Sequence, residues 1–279
     1  MGIDRMNKTL KPGKIIVLEE LKEIQMDILE VIHGYCKQND IHYSLACGTF
    51  LGAIRHKGYI PWDDDIDIYL KRKDYEKFIA GFPQEYQHVQ VVSLERDCNW
   101  DRAYAQAFDN RTILQEGRTS RIDKGVYIDI YPIDSVPDAD EKWVLYNKKR
   151  RMLIRLSEIK YVSLADGRSL VKNIILSLGK LIMLPFSSRA IALWISKYAQ
   201  RYNGKNYHRS FECVQGMLQK RPFDSSLMDN IIETQFEDRH YMIMRDYDAY
   251  LSNAYGDYMK LPPIEKQVSH HVFQAWWKD

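Results

Sequence analysis

In the N-terminal half of the chain, apolar residues first recur at steps of three and four, which predicts an amphipathic helix over residues 15–36. Short apolar runs bounded by Gly, Pro and polar residues follow, and runs of this length are typical of buried strands. Thr49 and Asp74 are placed to cap two short helices between these strands. The elements predicted next are a strand over 41–46, a helix over 50–55, a strand over 65–70, a helix over 75–80 and a strand over 89–94.

The middle of the chain adds a predicted β-hairpin, and the pattern then becomes helical. Residues 103–108 and 112–115 can pair around the turn Asp109-Asn110-Arg111, and 126–131 form one more strand between Gly125 and Pro132. Beyond about Asp138 the helical period dominates, over residues 143–159, 189–202 and 242–255. The sequence therefore predicts a mixed α/β region, residues 1–137, followed by a mostly helical region, residues 138–279.

One segment, residues 170–186, is unusually apolar, although Lys172, Gly179 and Lys180 interrupt it. It is too short and too charged to span a bilayer. Two interpretations fit equally: a buried core helix, or a helix that lies in a membrane interface while its lysines reach the water. The second interpretation predicts a peripheral contact with a membrane.

Composition and charge narrow the class of protein. The chain has 279 residues, of which 45% are hydrophobic and 28% charged, and these are ordinary values for a globular protein. A formal net charge of +2 gives no electrostatic reason to expect nucleic-acid binding. The cysteines have neither zinc-ligand nor redox spacing, and the first residues lack the apolar core of a secretory signal. We therefore expect a cytoplasmic protein, peripheral on the inner face of the membrane if 170–186 is interfacial.

The strongest chemical signal is an acidic run, in which four carboxylates fall between Asp63 and Asp67 with apolar residues on both sides. Alternate side chains of a strand share a face, so Asp65 and Asp67 would project together, about 7 Å apart along the strand. Asp129 lies inside another apolar strand, where a carboxylate is costly unless it is paired or binds a metal. Hard cations such as Mg²⁺ take oxygen ligands of this kind and recruit phosphates. The alternatives are a solvated acidic turn, and an Asp129 that faces water or is satisfied by a donor.

A small-residue turn precedes the acidic run. Gly48 and Thr49 follow a predicted strand and begin a helix, and the free N–H groups of a helix N-terminus can bind phosphate. Arg55, at the end of that helix, could contact phosphate with two N–H groups or be an ordinary surface charge. Together these features suggest a phosphate site beside three carboxylates from neighbouring strands, which could hold a metal against a diphosphate. Asp129 would be a metal ligand or the base that deprotonates an acceptor hydroxyl.

Three sequence blocks carry a resemblance to a known family. The first is GTFLGAIRHKGYIPWDDDID, residues 48–67; the second is GVYIDIYPID, residues 125–134; the third is YGDYMKLPP, residues 255–263, followed by His270. In this order they resemble the LicD family of phosphocholine transferases, with a more distant similarity to the fukutin-type transferases. The blocks span most of the chain, and the first is long and specific.

The resemblance implies an α+β, nucleotidyltransferase-like fold and a metal-dependent transferase. Such enzymes move phosphocholine, or a similar phospho-alcohol, from a CDP-linked donor such as CDP-choline to a hydroxyl of a cell-surface glycan, teichoic-acid or lipopolysaccharide precursor, and release CMP. Mg²⁺ or Mn²⁺ is the implied cofactor. The implied catalytic and metal residues are Asp65, Asp67 and Asp129. The implied donor-binding residues are Gly48, Thr49, Gly52, Arg55, Trp62 and His270.

The resemblance leaves the donor and acceptor open. A quaternary ammonium binds over aromatic faces, and Trp62, beside the acidic run, is the best single candidate for that contact. Gln106 and Gln267 stand where family members often have Lys and Arg, so the contacts to the donor or acceptor can differ here. The C-terminal region is expected to bind the acceptor. Two other functions fit the same residues: nucleotide transfer from an NTP to a small molecule or protein, and non-catalytic binding of metal or nucleotide.

Overall fold

The computed structural model describes residues 12–116, 122–162, 169–216, 221–268 and 273–279. The helices are α1 (Leu18–Gln38), α2 (Cys47–Arg55), α3 (Arg72–Gly81), α4 (Asp140–Tyr161), α5 (Leu170–Met183), α6 (Ser188–Ala199) and α7 (Tyr247–Tyr255). The strands are β1 (Pro12–Ile16), β2 (Tyr43–Leu45), β3 (Asp67–Lys71), β4 (Val89–Val92), β5 (Ala105–Asp109), β6 (Thr112–Glu116), β7 (Tyr127–Val136), β8 (Arg209–Glu212), β9 (Phe223–Asp224), β10 (Ile231–Phe236), β11 (Arg239–Met244) and β12 (Phe273–Lys278).

A mixed central sheet organises the fold. Its strand order is β2-β3-β7-β5-β4, and only β3 and β7 among these neighbours run parallel. The long strand β7 pairs with β5 along its first half and with β8 along its second half. Ile68 and Leu70 on β3 and Ile128 and Ile130 on β7 are fully buried. Because α1 and α3 pack against the sheet, these apolar side chains fix both strands rigidly in the core. The predicted α+β class is confirmed.

The predicted hairpin of residues 103–115 is wrong. Strand β5 pairs with β4 and β7, whereas β6 pairs with β12 in a separate sheet of order β1-β12-β6. The buried carboxylate of Asp109 accepts hydrogen bonds from the backbone N and the guanidinium of Arg111. These bonds turn the chain out of the central sheet immediately after β5. The turn residues were recognised, but their geometry redirects the chain instead of folding it back on itself.

Several predicted boundaries also need correction. Helix α1 begins at Leu18, because Ile15 and Ile16 belong to strand β1. Thr49 and Asp74 lie inside the first turns of α2 and α3 and cap neither helix. Residues 242–244 belong to β11 rather than to a helix, and strands β8 to β12 were not predicted. Strands β8 and β12 exist through pairing with segments distant in the sequence, which a local pattern does not reveal, whereas β10 and β11 form a local hairpin that was not predicted.

The exposure of helix α5 decides whether the apolar segment 170–186 is a buried core helix. Ile175 is 63% exposed and Ile182 is 70% exposed, so the buried-core interpretation is wrong. Among the described residues, no single helix is long and apolar enough to cross a membrane. Two consecutive helices meet the length and composition criteria only when they are taken together, residues 171–183 and 188–202, and this pair is bent by 85°. The division of the chain at residue 137 stays a prediction: β7 ends at Val136 and α4 begins at Asp140.

Candidate active site

Asp67 and Asp129 lie directly opposite each other at the centre of the fold. They are register partners in the parallel pair β3 and β7, where Asp67 opens β3 and Asp129 is the third residue of β7. Side chains at paired positions of neighbouring strands point to the same face, so the two carboxylates are held side by side. The structure thus places these two predicted residues together on adjacent strands.

The carboxylate of Asp67 is buried and only partly satisfied. Its residue is 7% exposed, and the Oδ1 atom has no hydrogen-bond partner within the described part of the chain. Burial raises the pKa of Asp67 well above its usual range, and the nearby charges of Asp65 and Asp129 raise it further. A buried carboxylate oxygen without a hydrogen-bond donor, beside two more acids, is unfavourable unless a cation binds it. A divalent cation would satisfy it, so these residues fit the predicted metal.

Asp65 lies two residues before β3, outside the strand that the sequence predicted for it. The extended ladder continues to this segment, because the N–H of Asp129 donates to the Ile66 carbonyl at 2.9 Å. One carboxylate oxygen from each of Asp63, Asp64 and Asp65 lies within 4.8 Å of the others. The acidic segment therefore offers one close set of oxygen ligands, Asp63, Asp64 and Asp65, beside the pair of Asp67 and Asp129, and the charge of Asp65 acts on Asp67. Asp63 and Asp64 were visible in the sequence run but were not assigned a role.

Asp129 is oriented by neighbouring donors. Its Oδ1 accepts from Gln106 Nε2 at 2.6 Å, and its Oδ2 accepts from the Tyr131 hydroxyl at 2.8 Å. Burial raises the pKa of Asp129, while the Arg102 charge and these two hydrogen bonds oppose the rise. The Nζ of buried Lys124 donates to Gln106 Oε1 at 2.7 Å, which fixes the direction in which the amide points. Lys124, Gln106 and Asp129 form a chain of hydrogen bonds that sequence reasoning missed.

The small-residue turn packs the start of α2 against the acidic segment. The Thr49 hydroxyl accepts a hydrogen bond from the Asp67 backbone N at 2.9 Å. A Cβ at Gly48 would lie 2.3 Å from Asp63 Oδ2, so only glycine lets this carboxylate rest on the first turn of the helix. Cys47 begins the helix with φ of 49°, a conformation that non-glycine residues adopt rarely. The positive end of the helix dipole therefore lies next to the acidic cluster.

Gly52 allows a second close approach, on the other side of α2. A Cβ there would lie 2.4 Å from the Gly58 carbonyl oxygen, which is backbone and cannot move aside cheaply. The glycine thus lets the loop that leads to Trp62 and Asp63 pack directly on the helix. Its observed contact is packing, and its predicted contact with the donor stays a prediction.

Arg55 and Trp62 flank this loop. One guanidinium nitrogen of Arg55 donates to the carbonyl oxygen of Tyr258 at 2.8 Å, which joins the first sequence block to the third. Trp62 is half-buried and meets the His56 ring edge-on, with centroids 6.3 Å apart. The contacts of these two residues with a donor stay predictions, and the predicted residue His270 lies outside the described residues.

Comparison with known proteins shows the family of this chain. The family model described as LicD/FKTN/FKRP, nucleotidyltransferase domain, matches residues 40–162, which include the three predicted catalytic acids. The chain is 32% identical to the lipopolysaccharide cholinephosphotransferase LicD of Haemophilus influenzae over 266 residues, which cover 94% of this chain and 99% of that protein. An uncharacterized protein of Rickettsia prowazekii is 39% identical over 72 residues, 26% of this chain and 27% of its own length. The chain belongs to the LicD family.

Proposed function

We propose that this protein transfers phosphocholine from CDP-choline to a hydroxyl of a lipopolysaccharide glycan and releases CMP. The relative that supports this reaction is a lipopolysaccharide cholinephosphotransferase aligned over 94% of the chain. The structural observation that carries the proposal is the side-by-side pair of Asp67 and Asp129, in which the buried Asp67 Oδ1 has no hydrogen-bond partner in the part of the chain that the structure describes. We propose that Asp65, Asp67 and Asp129 hold Mg²⁺ or Mn²⁺ there.

Each group of the site has a task in this proposal. A bound divalent cation would neutralise charge on the diphosphate and on the leaving CMP. Asp67 and Asp129 hold their oxygens in place through strand pairing, and Gln106 and Tyr131 fix the rotation of the Asp129 carboxylate. The N–H groups at the start of α2 offer donors to phosphate oxygens beside the acidic segment. Because Asp129 is oriented by two donors, we assign it to the metal rather than to the acceptor proton.

The choline end of the donor needs an aromatic surface, because a quaternary ammonium binds over ring faces. Trp62 is the proposed contact, since it is half-buried and next in sequence to Asp63. The acceptor is assigned to the C-terminal region, residues 138–279. Arg55 joins α2 to the third block and keeps this region close to the site.

The test is incubation of the purified protein with Mg²⁺, a glycan acceptor and CDP-choline labelled separately in the choline and the cytidine. We expect choline label on the glycan and cytidine label in CMP. Cytidine label on the acceptor would instead show nucleotide transfer. Release of CMP from CDP-ribitol or CDP-glycerol alone would change the donor and keep the reaction. Binding of metal and CDP-choline without release of any product would show that the protein is not an enzyme of this kind.

Lys124→Met tests the hydrogen-bond chain behind Asp129. We expect kcat to fall by about 10- to 100-fold and a higher Mg²⁺ concentration to be needed, as for residues that orient metal ligands. The reason is that Gln106 loses the donor that fixes its amide. The matched control is Lys22→Met, because both ammonium groups lie over a tyrosine ring: Lys124 Nζ is 3.8 Å from the Tyr127 centroid, and Lys22 Nζ is 4.5 Å from the Tyr59 centroid. Equal kcat and equal Mg²⁺ dependence in the two variants would contradict the assignment.

A further inference from the structure

Helix α5 turns its apolar stripe outward. Apolar residues at positions 171, 174, 175, 178, 181 and 182 follow the three- and four-residue spacing of one helix face. All of them are exposed, from 55% for Leu178 to 70% for Ile182. The opposite face contains Met183, which is buried, and Gly179, where a Cβ would lie 3.5 Å from Ile159 of α4. The helix is therefore attached to α4 through its less apolar side.

The exposed apolar surface continues past the end of α5. Leu184 is 69% exposed in the following turn, and Leu193 and Trp194 of α6 are each 44% exposed. The Phe186 and Trp194 rings meet edge-on at 5.2 Å, which keeps two bulky aromatic groups at the surface. Soluble monomers rarely expose a continuous apolar patch of this size, and such patches mark sites of interaction. We call the surface formed by residues 171–186 and 193–194 the α5 patch.

The segment that forms the α5 patch is basic. Between residues 169 and 211 the chain has no Asp or Glu. The same stretch carries Lys172, Lys180, Lys197, Arg201 and Lys205. It also contains Arg189 and Arg209, but Arg189 donates to main-chain oxygens of residues 94, 97 and 100, and Arg209 pairs with Asp140, so neither is counted toward a partner. A partner that covers this patch must offer an apolar interior to the apolar side chains and a negatively charged surface to the lysine and arginine side chains. An anionic lipid bilayer has both properties, and apolar helices with Trp, Phe and Leu and with flanking lysines are typical of its interface.

We propose that the α5 patch binds the protein to the surface of an anionic lipid bilayer. Helix α5 lies in the interface, its outward Ile, Leu and Val side chains enter the acyl region, and Lys172 and Lys180 extend to the headgroups. The bend after α5 lets Phe186 and Trp194 reach the same interface. This inference rests on exposure and charge alone, and it does not depend on the proposed reaction.

The experiment is flotation of the purified full-length protein with vesicles, without donor or acceptor. We expect binding to vesicles of phosphatidylcholine with phosphatidylglycerol, weaker binding to phosphatidylcholine alone, and release as the salt concentration rises. The double variant Ile175→Asp/Ile182→Asp should weaken binding by more than about tenfold, because each change removes a large apolar group and adds a repelled charge. Lys172→Gln and Lys180→Gln should each weaken it by about fivefold.

The control variant is Ile264→Asp, because Ile264 is 83% exposed and lies outside the patch. It should bind vesicles like the unchanged protein. Absence of binding at low salt, or equal binding by the double variant and Ile264→Asp, would overturn the proposal. A stable dimer without vesicles that the double variant dissociates would show that the patch joins two copies instead. The two lysine variants keep the test decisive if circular dichroism shows that the double variant is unfolded.

Discussion

Asp67→Asn should lower kcat by about a thousandfold or more, which corresponds to a loss of about 4 kcal/mol of transition-state stabilisation. The substitution keeps the shape of the side chain and removes the charge at Oδ1, which has no hydrogen-bond partner among the described residues. Asp65 and Asp129 remain, but the set of ligands loses its most buried member. The measurement is the initial rate of CMP release at saturating CDP-choline over a range of Mg²⁺ concentrations.

The same substitution should not harm folding, and this contrast separates a functional residue from a structural one. The carboxylate of Asp67 is buried beside two other acids, which raise its pKa. Removing one of three neighbouring negative charges relieves repulsion, so the Tm of Asp67→Asn without Mg²⁺ should equal or exceed that of the unchanged protein. Added Mg²⁺ should raise the Tm of the unchanged protein more than that of the variant, because ligands stabilise the state they bind.

Asp40→Asn is the matched control, since the Asp40 carboxylate is 92% exposed and its backbone φ of 50° suits asparagine equally well. It should leave kcat and the effect of Mg²⁺ on Tm unchanged. A kcat for Asp67→Asn within a few-fold of the control would show that the metal site is elsewhere. A strongly lowered Tm would show that Asp67 serves the fold and would remove the main structural support for the proposed reaction.

The parts of this site that could be predicted were those encoded by neighbouring residues. Asp67 stood out as part of an acidic run and Asp129 because it interrupts an apolar strand, and the structure pairs them in register. Gly48 stood out because a small residue follows a strand, and its Cβ would indeed collide with Asp63. The contacts of Lys124 with Gln106 and of Arg55 with Tyr258 join segments 18 and 203 residues apart. No local pattern encodes such contacts.

The same distinction between local and distant contacts explains the errors in the predicted fold. Residues 103–108 and 112–115 were predicted correctly as strands, which are β5 and β6. Their pairing partners depend on the hydrogen bond from Arg111 back to Asp109 and on β12, which is far away in the sequence. The apolar spacing of 170–186 predicted the helix correctly. The periodicity identifies the apolar face of the helix. It does not show whether that face is buried against the rest of the protein or against another apolar surface. Only the exposure of Ile175 and Ile182 excluded the buried alternative.

A buried ion pair holds the register on which the candidate site depends. The last register pair of β3 and β7 is Lys71 with Ile133, and Arg72 and Asp134 follow it directly. The Arg72 guanidinium donates to both carboxylate oxygens of Asp134, at 2.8 and 2.7 Å. The two side chains are 8% and 0% exposed. A slip of one residue would break this pair and would also move Asp129 to the other face of the sheet. The pair thus fixes the alignment of Asp67 with Asp129, five residues away.

Arg72→Met should lower the free energy of unfolding by about 3–5 kcal/mol, because it leaves the buried Asp134 carboxylate without its cation. Adding Asp134→Asn should restore most of this loss, since the neutral amide needs no cation and keeps an oxygen for the Asn203 side chain, which donates to Asp134 Oδ1 at 2.6 Å. Lys37→Met, which breaks an exposed pair with Glu233, should cost under about 1 kcal/mol. Urea unfolding measures all three. If Arg72→Met costs no more than Lys37→Met, the pair does not hold the strands, and the alignment of the two acids must come from the apolar contacts of β3 and β7 alone.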